Sequence, residues 1–369
     1  MAKATSEAGK GVAEIEGHDL SAEDPLILKH YYHQMLLIRR FEERASEMYT
    51  KAKIGGYCHL NLGEEATIVG LTAALTDDDY IYTNYREHGY VIARGVAPGP
   101  VMAELFGRET GTSGGRGGSM HLFDARSHFM GGYGIVGGQV PLATGAAYAL
   151  KYQGKPGVVI CQVGDATTNI GPWYESLNLA KLHQLPILYF IVNNGFGMGT
   201  SVREGSSEPD LWKKGSSFRI HGEQVDGSDV IAVRDATKRL RAKAERDGEP
   251  AIMDVVSFRF RGHSVIDPDR YRNADEVKRG RVEHDPLTHF ARRLLDAKIV
   301  DDAYIRDTAD QVEHEVQEAI DFADQSRPPA MKDLYKYMYA TDVPNTISEA
   351  EQEMFQARLD VEEGEGKRS

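Results

Sequence analysis

Cysteine is scarce: the 369 residues hold two, Cys58 and Cys161, each in an apolar stretch. A disulfide framework is thereby excluded, and a reducing compartment is expected. No zinc-type spacing occurs, and no apolar run approaches the length of a membrane span. Positive charge is also short, with 43 Lys and Arg against 56 Asp and Glu. The net charge of −13 argues against nucleic acid or an anionic membrane as the main partner. The first 25 residues have neither the apolar core of a secretory signal nor the arginine-rich, acid-poor character of a mitochondrial presequence. They are expected to form a flexible arm, in a bacterial cytoplasmic setting rather than the mitochondrial matrix. A Walker-type glycine-lysine loop is missing as well, and no full G-x-G-x-x-G turn is expected.

What is present is an alternation of helix and strand. A helix is expected from 26 to 51, with Leu28, Tyr32, Met35, Leu36 and Phe41 at helical spacing. A second is expected from 64 to 75, then a short strand in DDYIYTNYREHG. Residues 107–138 hold eleven glycines in 32 positions, which argues against a regular core element. The same stretch carries Met120, His121, Phe123, Phe129, Met130, Tyr133, Ile135 and Val136. Flexible linkers rarely hold so many large side chains, so an ordered loop packed on a ligand or another chain is expected. Helices at 140–153, 171–184 and 229–246 then alternate with strands at 158–163, 187–192 and 251–258. That pattern predicts an α/β fold, a parallel sheet with helices on both faces and helical N- and C-terminal extensions. A loop is expected at 261–282, followed by a helical stripe of Ile305, Ala309, Val312, Val316, Ile320 and Ala323. The expected division is an arm over 1–25, one domain over 26–330 and a tail over 331–369.

The chemistry concentrates at two strand ends. Residues 158–180 read VVICQVGDATTNIGPWYESLNLA. An apolar strand ending in Gly164-Asp165 delivers a carboxylate to a sheet edge, where open parallel sheets bind ligands. The next strand, ILYFIVNNGFGMG, ends in Asn193-Asn194. Between Ala166 and Asn193 lie 26 residues, the length of one helix and one strand. Asp165 and one of the asparagines can therefore meet. One carboxylate with amide and main-chain oxygens is a hard donor set that suits Mg2+, which leans on substrate phosphates. NYREHG adds Tyr85, Arg86 and His88 as phosphate partners. Singly, Gly-Asp is often a helix cap and Asn-Asn-Gly a tight turn. The joint spacing favours a diphosphate bridged through a divalent cation.

These residues resemble the thiamine-diphosphate motif, an aspartate-bearing turn followed by Asn-Asn. GGYCHLNLGEEA, YREHGY, GRGGSMHLF, GIVGGQVPLATGAAYA, NNGFGMGTSV, VDGSD and RGHSVIDPDRYR occur in the order found in alpha subunits of the pyruvate dehydrogenase first component. The resemblance covers residues 28 to 330. It implies a thiamine-diphosphate-binding fold in which Asp165, the Asn194 side chain and the Phe196 carbonyl bind Mg2+. It further implies that Tyr85, Arg86 and Arg259 hold the diphosphate beside Gly164 and Ala166. Gly134 and Val136 would face the aminopyrimidine, and His59 and His263 would sit near the reacting carbon as catalytic groups.

The family takes its cofactor-activating glutamate from a separate beta subunit. The resemblance therefore implies a heterotetramer of two alpha and two beta subunits, inactive as this chain alone. It also implies acyl transfer to a lipoyl domain of the acyltransferase component, with a small 2-oxo acid as substrate. Acetoin and branched-chain 2-oxo acid dehydrogenase alpha subunits share the framework and are the alternatives. In the helix LATGAAYAL, Gly145, Ala146 and Ala147 serve either an inter-subunit surface or simple core packing. The chain keeps the serine of the GHS motif, Ser264, for which regulated phosphorylation is not expected. It departs from the family in carrying Ala166 where glycine usually follows the aspartate. A methyl there is tolerable only if φ is negative.

Overall fold

The computed structural model describes residues 19–334 and 336. The expected arm up to residue 18 and most of the expected tail lie outside the described residues. Contacts divide the chain into two units, Met1–Ser326 and Arg327–Ser369. In the second, a 3-10 turn spans Met331–Asp333.

The first unit opens, over the last residues of the expected arm, with a 3-10 turn at Leu20–Ala22 capped by Asp19. Its elements then run α1 (Pro25–Thr50), α2 (Glu65–Ala73), β1 (Tyr80–Asn84), α3 (His88–Ala93), α4 (Pro98–Leu105) and β2 (Phe129–Tyr133). Next come α5 (Gln139–Gln153), β3 (Val159–Gly164), α6 (Gly171–Leu182), β4 (Ile187–Asn193), β5 (Phe196–Gly197), β6 (Thr200–Ser201) and α7 (Val202–Gly205). The rest is β7 (His221–Asp226), α8 (Val230–Asp247), β8 (Ala251–Val256), α9 (Ala274–Glu283), α10 (Pro286–Asp296) and α11 (Asp302–Gln325).

Six parallel strands form one sheet in the order β2-β1-β3-β4-β8-β7. β5 and β6 make a small antiparallel hairpin. β4 is buried along its whole length, as expected of a central parallel strand covered on both faces. Its alternate residues enter different cores. Leu188, Phe190 and Val192 join a cluster with Phe41, Ile68, Met102 and Val316, whereas Ile187, Tyr189 and Ile191 join Ala147, Trp173 and Leu177. Helices therefore cover both faces, as the alternation predicts. In α1, Asp24 accepts from Leu26 N and Pro25 occupies the first turn, a favourable start. Leu28, Tyr32, Met35, Leu36 and Phe41 are all buried. Both cysteines are free and buried. No helix among the described residues is long and apolar enough to cross a membrane.

The differences from the sequence expectation have physical causes. β7 (HGEQVD) is an edge strand with a polar, partly exposed face, so it lacks an apolar signature. Residues 274–282 of the expected loop 261–282 fall in α9, capped by Asn273. In α11, Thr308 rather than Ala309 is buried, its hydroxyl bonded to the Tyr304 carbonyl at 2.7 Å. The expected loop 107–138 is ordered, but it contains β2, a regular element where none was expected. Glycine there answers a close approach: a Cβ on Gly132 would lie 2.0 Å from the buried Glu87 carboxyl carbon.

The rest of the glycine-rich segment wraps one buried carboxylate. Glu104 Oε2 accepts from Ser113 N (2.7 Å) and Gly115 N (2.8 Å), and Oε1 from Gly117 N (2.7 Å) and Gly118 N (3.0 Å). Gly115 and Gly118 have φ of +74° and +64°, which points successive N–H groups at one anion. Glu104→Ala would leave these donors without their acceptor and is expected to cost roughly 3–5 kcal/mol. The denaturant midpoint measures it; a loss below about 1 kcal/mol would show that the loop folds without the carboxylate.

Candidate active site

β3 and β4 end level. Gly164 pairs with Val192, so Asp165 emerges at the same sheet edge as Asn193 and Asn194. Asp165 opens a 3-10 turn, Asp165–Asn169, and is 4 % exposed. Oδ1 accepts from Ala166 N at 2.6 Å, whereas Oδ2 has no hydrogen-bond partner. Burial pushes this carboxyl up, opposed by the Ala166 N–H, the Arg259 guanidinium and the N–H groups of Phe196 and Gly195, which point towards it from beyond hydrogen-bond geometry.

The two asparagines have separate tasks. Asn193 is buried, donating to Asp254 Oδ1 (3.1 Å) and accepting from Gly195 N (3.1 Å). Asn194 is half-buried, and its Oδ1 takes one long bond from Phe196 N at 3.4 Å. Asn193 is thus tied into the sheet, and Asn194 keeps acceptor capacity. Asp254 is itself pushed up to about 6 by burial.

The guanidinium groups are buried and already bonded to main chain. Arg86 donates to the Leu60 carbonyl (2.6 Å) and the His263 carbonyl (2.9 Å), with Glu64 3.7 Å from Nε. Arg259 donates to the carbonyls of Phe196 (3.3 Å) and Met198 (3.0 Å) and to the Tyr271 hydroxyl (2.7 Å). The Tyr271 hydroxyl donates to Asp267, which also accepts from His263 N. Residues 263–271 are thereby ordered against the β5–β6 arm.

His59, Tyr85 and His263 form one aromatic cluster. The His59 ring lies 4.4 Å from that of Tyr85 and 4.9 Å from that of His263. Nδ1 of His59 is buried without a partner. Burial, with Arg86 nearby, pushes His59 down to about 2, and the same causes push His263 down to about 4. Both imidazoles are neutral at pH 7. Gly134 is half-buried against the His121 ring, and Val136 is 49 % exposed.

Several contributors escape a sequence reading. Glu64 lies inside the quoted GEEA, yet its ion pair with Arg86 spans two loops. Asp267 and Tyr271 lie within DPDRYR with no local signal of their lock. Against the expectation of no full G-x-G-x-x-G turn, Gly132 to Gly137 spells that pattern, running from within β2 towards α5. Its first glycine sits inside β2 against Glu87, not in a phosphate-binding turn.

Known proteins resemble this chain over most of its length. The family described as "Dehydrogenase E1 component" matches residues 33–332. A pyruvate dehydrogenase E1 component subunit alpha of Rhizobium meliloti (strain 1021) is 43 % identical over 328 residues, covering 89 % of this chain and 92 % of that protein. The subunit of that name from Zymomonas mobilis is 41 % identical over 348 residues, covering 91 % and 98 %. That of Porphyra purpurea is 38 % identical over 316 residues, covering 84 % and 92 %. The chain belongs to the dehydrogenase E1 component family.

Within this E1 component, the departure at Ala166 has a local explanation. Ala166 does not adopt a positive φ, so its methyl carries no backbone strain. The methyl points at Gly197, where an added Cβ would lie 2.4 Å from that of Ala166. The pair holds one methyl between two loops. Gly197→Ala is expected to destabilise the chain by roughly 1–3 kcal/mol through overpacking. Ala166→Gly in the same chain should restore the melting temperature. Additive losses in the double variant would show that the two positions do not meet.

Proposed function

We propose that the chain is the alpha subunit of a pyruvate dehydrogenase first component. It decarboxylates pyruvate oxidatively and passes the acyl group to a lipoyl domain of the acyltransferase component. It works in a heterotetramer of two alpha and two beta subunits, in the bacterial cytoplasm. The names of the relatives support pyruvate over the acetoin and branched-chain alternatives, and their coverage supports the alpha-subunit reading.

The observation that carries the site is the buried, partnerless Oδ2 of Asp165 beside an asparagine with acceptor capacity. Such an oxygen is costly unless a cation or donor meets it. Among the described residues no group of three or more His, Cys, Asp and Glu gathers. A cation here therefore has one carboxylate and completes its shell with amide, main-chain, water and phosphate oxygens. That donor set fits Mg2+. In this reading Asp165, Asn194 Oδ1 and the Phe196 carbonyl hold Mg2+, the carbonyl using the lone pair that Arg259 leaves open. Tyr85, Arg86 and Arg259 face the diphosphate beside Gly164 and Ala166, and Gly134 and Val136 face the aminopyrimidine.

Bound thiamine diphosphate supplies the carbanion and the electron sink that decarboxylation needs. The chain's own residues position groups and move protons. Arg86 fixes the carbonyls of Leu60 and His263 and so places both imidazoles. His59 and His263, neutral at pH 7 in the chain alone, are placed to hydrogen-bond the substrate oxygen, and the negative charge of a bound diphosphate would raise both imidazoles toward the range in which they accept and return a proton. The beta subunit meets the exposed side of this region. Ile135 is 76 % exposed, and α5 turns Leu142, Gly145, Tyr148 and Tyr152 outward while Ala147 packs in the core. A Cβ on Gly145 would meet nothing within 4 Å, so packing inside this chain does not require glycine there.

The test is decarboxylation by the purified chain with thiamine diphosphate and Mg2+, with and without the beta subunit, over pyruvate, branched 2-oxo acids and acetoin. Pyruvate turnover is expected only with the partner present, and Asp165→Ala should abolish it together with cofactor binding. Failure on every substrate with the partner present refutes the enzyme reading. Unchanged cofactor binding by Asp165→Ala refutes the metal assignment.

A further inference from the structure

Lys214 is a buried cation that the mechanism above does not use. It sits in the 3-10 segment Leu211–Phe218 and is 9 % exposed. Buried lysines usually meet a carboxylate. The partners of this one are neutral oxygens of a single turn: Asn169 Oδ1 at 2.6 Å, Thr168 Oγ1 at 2.8 Å and the Thr168 carbonyl at 3.3 Å. That turn is the one Asp165 opens. The Thr168 hydroxyl, in turn, donates to the Asp165 carbonyl at 2.7 Å. Lys214 therefore grips the turn at its far end, and Thr168 relays the grip to the aspartate backbone.

Asn169 carries the connection further. Its Nδ2 donates to the Gly205 carbonyl at 3.0 Å, at the end of α7. The start of α7 is tied back by Val202 N, which donates to the Gly195 carbonyl at 3.0 Å. Gly195 stands between Asn194 and Phe196. An unbroken path of hydrogen bonds and one short helix thus joins the carboxylate turn to the arm bearing the other oxygen donors. The two arms are separate in sequence, and the β3–β4 register aligns only their first residues.

We propose that Lys214 and Asn169 are positioning residues of the metal–diphosphate site, holding the Asp165 turn and the Asn194–Phe196 arm at a spacing that lets both face one cation. This rests on the reading of the site as a Mg2+–diphosphate centre. Partners that orient metal ligands in this way typically change metal affinity by about 10–100-fold when removed. Lys214 also places a positive charge behind Asp165, so the charge lost in Lys214→Met would by itself favour a cation, and weakened metal binding in that variant reports the lost position of the turn.

The test uses the complex of alpha and beta subunits, with Mn2+ in place of Mg2+ and thiamine diphosphate as ligand. Free Mn2+ is read by paramagnetic resonance, and the metal-free melting temperature is recorded alongside. Lys214→Met and Asn169→Ala are each expected to weaken Mn2+ binding about tenfold or more. The metal-free melting temperature should stay near that of the unaltered complex. Excess Mg2+ should restore much of kcat, so the loss appears in the metal requirement rather than in maximal rate. Asn169→Asp keeps the acceptor for Lys214 but loses the donor to Gly205, and its Mn2+ affinity should fall between that of Asn169→Ala and that of the unaltered complex. Mn2+ affinity within twofold of the unaltered complex in Asn169→Ala overturns the proposal, and so does a loss that merely tracks a fall in melting temperature. If Lys214→Met does not fold, the two Asn169 variants decide. If the unaltered complex binds no Mn2+ with thiamine diphosphate, the site reading itself fails, an outcome distinct from a variant that binds normally.

Discussion

Asp165 leaves β3 one residue past Gly164, and the pairing of Gly164 with Val192 sets it level with the end of β4. There it is buried with one oxygen satisfied and the other partnerless. The surrounding architecture serves this carboxylate. β3 and β4 are central strands with apolar cores on both faces, so their ends are held by the best-packed part of the chain. Asn193 is tied to Asp254, which frees the next residue to turn outward. The 3-10 turn behind Asp165 is gripped from a distant segment.

Charge around the site is arranged with equal economy. Arg86 and Arg259 are buried, yet both bond chiefly to carbonyls, so they organise loops while leaving a positive field. Burial and that field hold His59 and His263 far below the usual imidazole range. An anionic ligand beside the guanidiniums would relieve the field, and a cation at Asp165 would compensate the carboxylate. Anion and cation each answer one half of the imbalance, which is the electrostatic form of a metal-bridged diphosphate.

Much of this was legible in the sequence because it is local. Long apolar runs mark β3, β4 and β8, helical spacing marks α1 and α11, and the distance from Asp165 to Asn194 equals one crossover. What was hidden depends on contacts between distant residues. β2 is a strand rich in glycine because Glu87 stands against Gly132, a pairing 45 residues apart. β7 carries polar residues because it lies at an edge. Lys214 shows no motif, since its partners lie 45 and 46 residues upstream. Ala166 looked like a flaw in the pattern until Gly197 was found opposite it.

The central claim is that Asp165, Asn194 and Phe196 surround one cation. Anomalous diffraction from the complex of alpha and beta subunits, grown with thiamine diphosphate and Mn2+, locates that cation directly. The account predicts a single peak at about 2.0–2.3 Å from the Asp165 carboxylate, the Asn194 side-chain oxygen and the Phe196 carbonyl, with diphosphate oxygens completing the shell. A peak coordinated instead by Asn193 and Asp254, or bound cofactor with no metal beside Asp165, would contradict it.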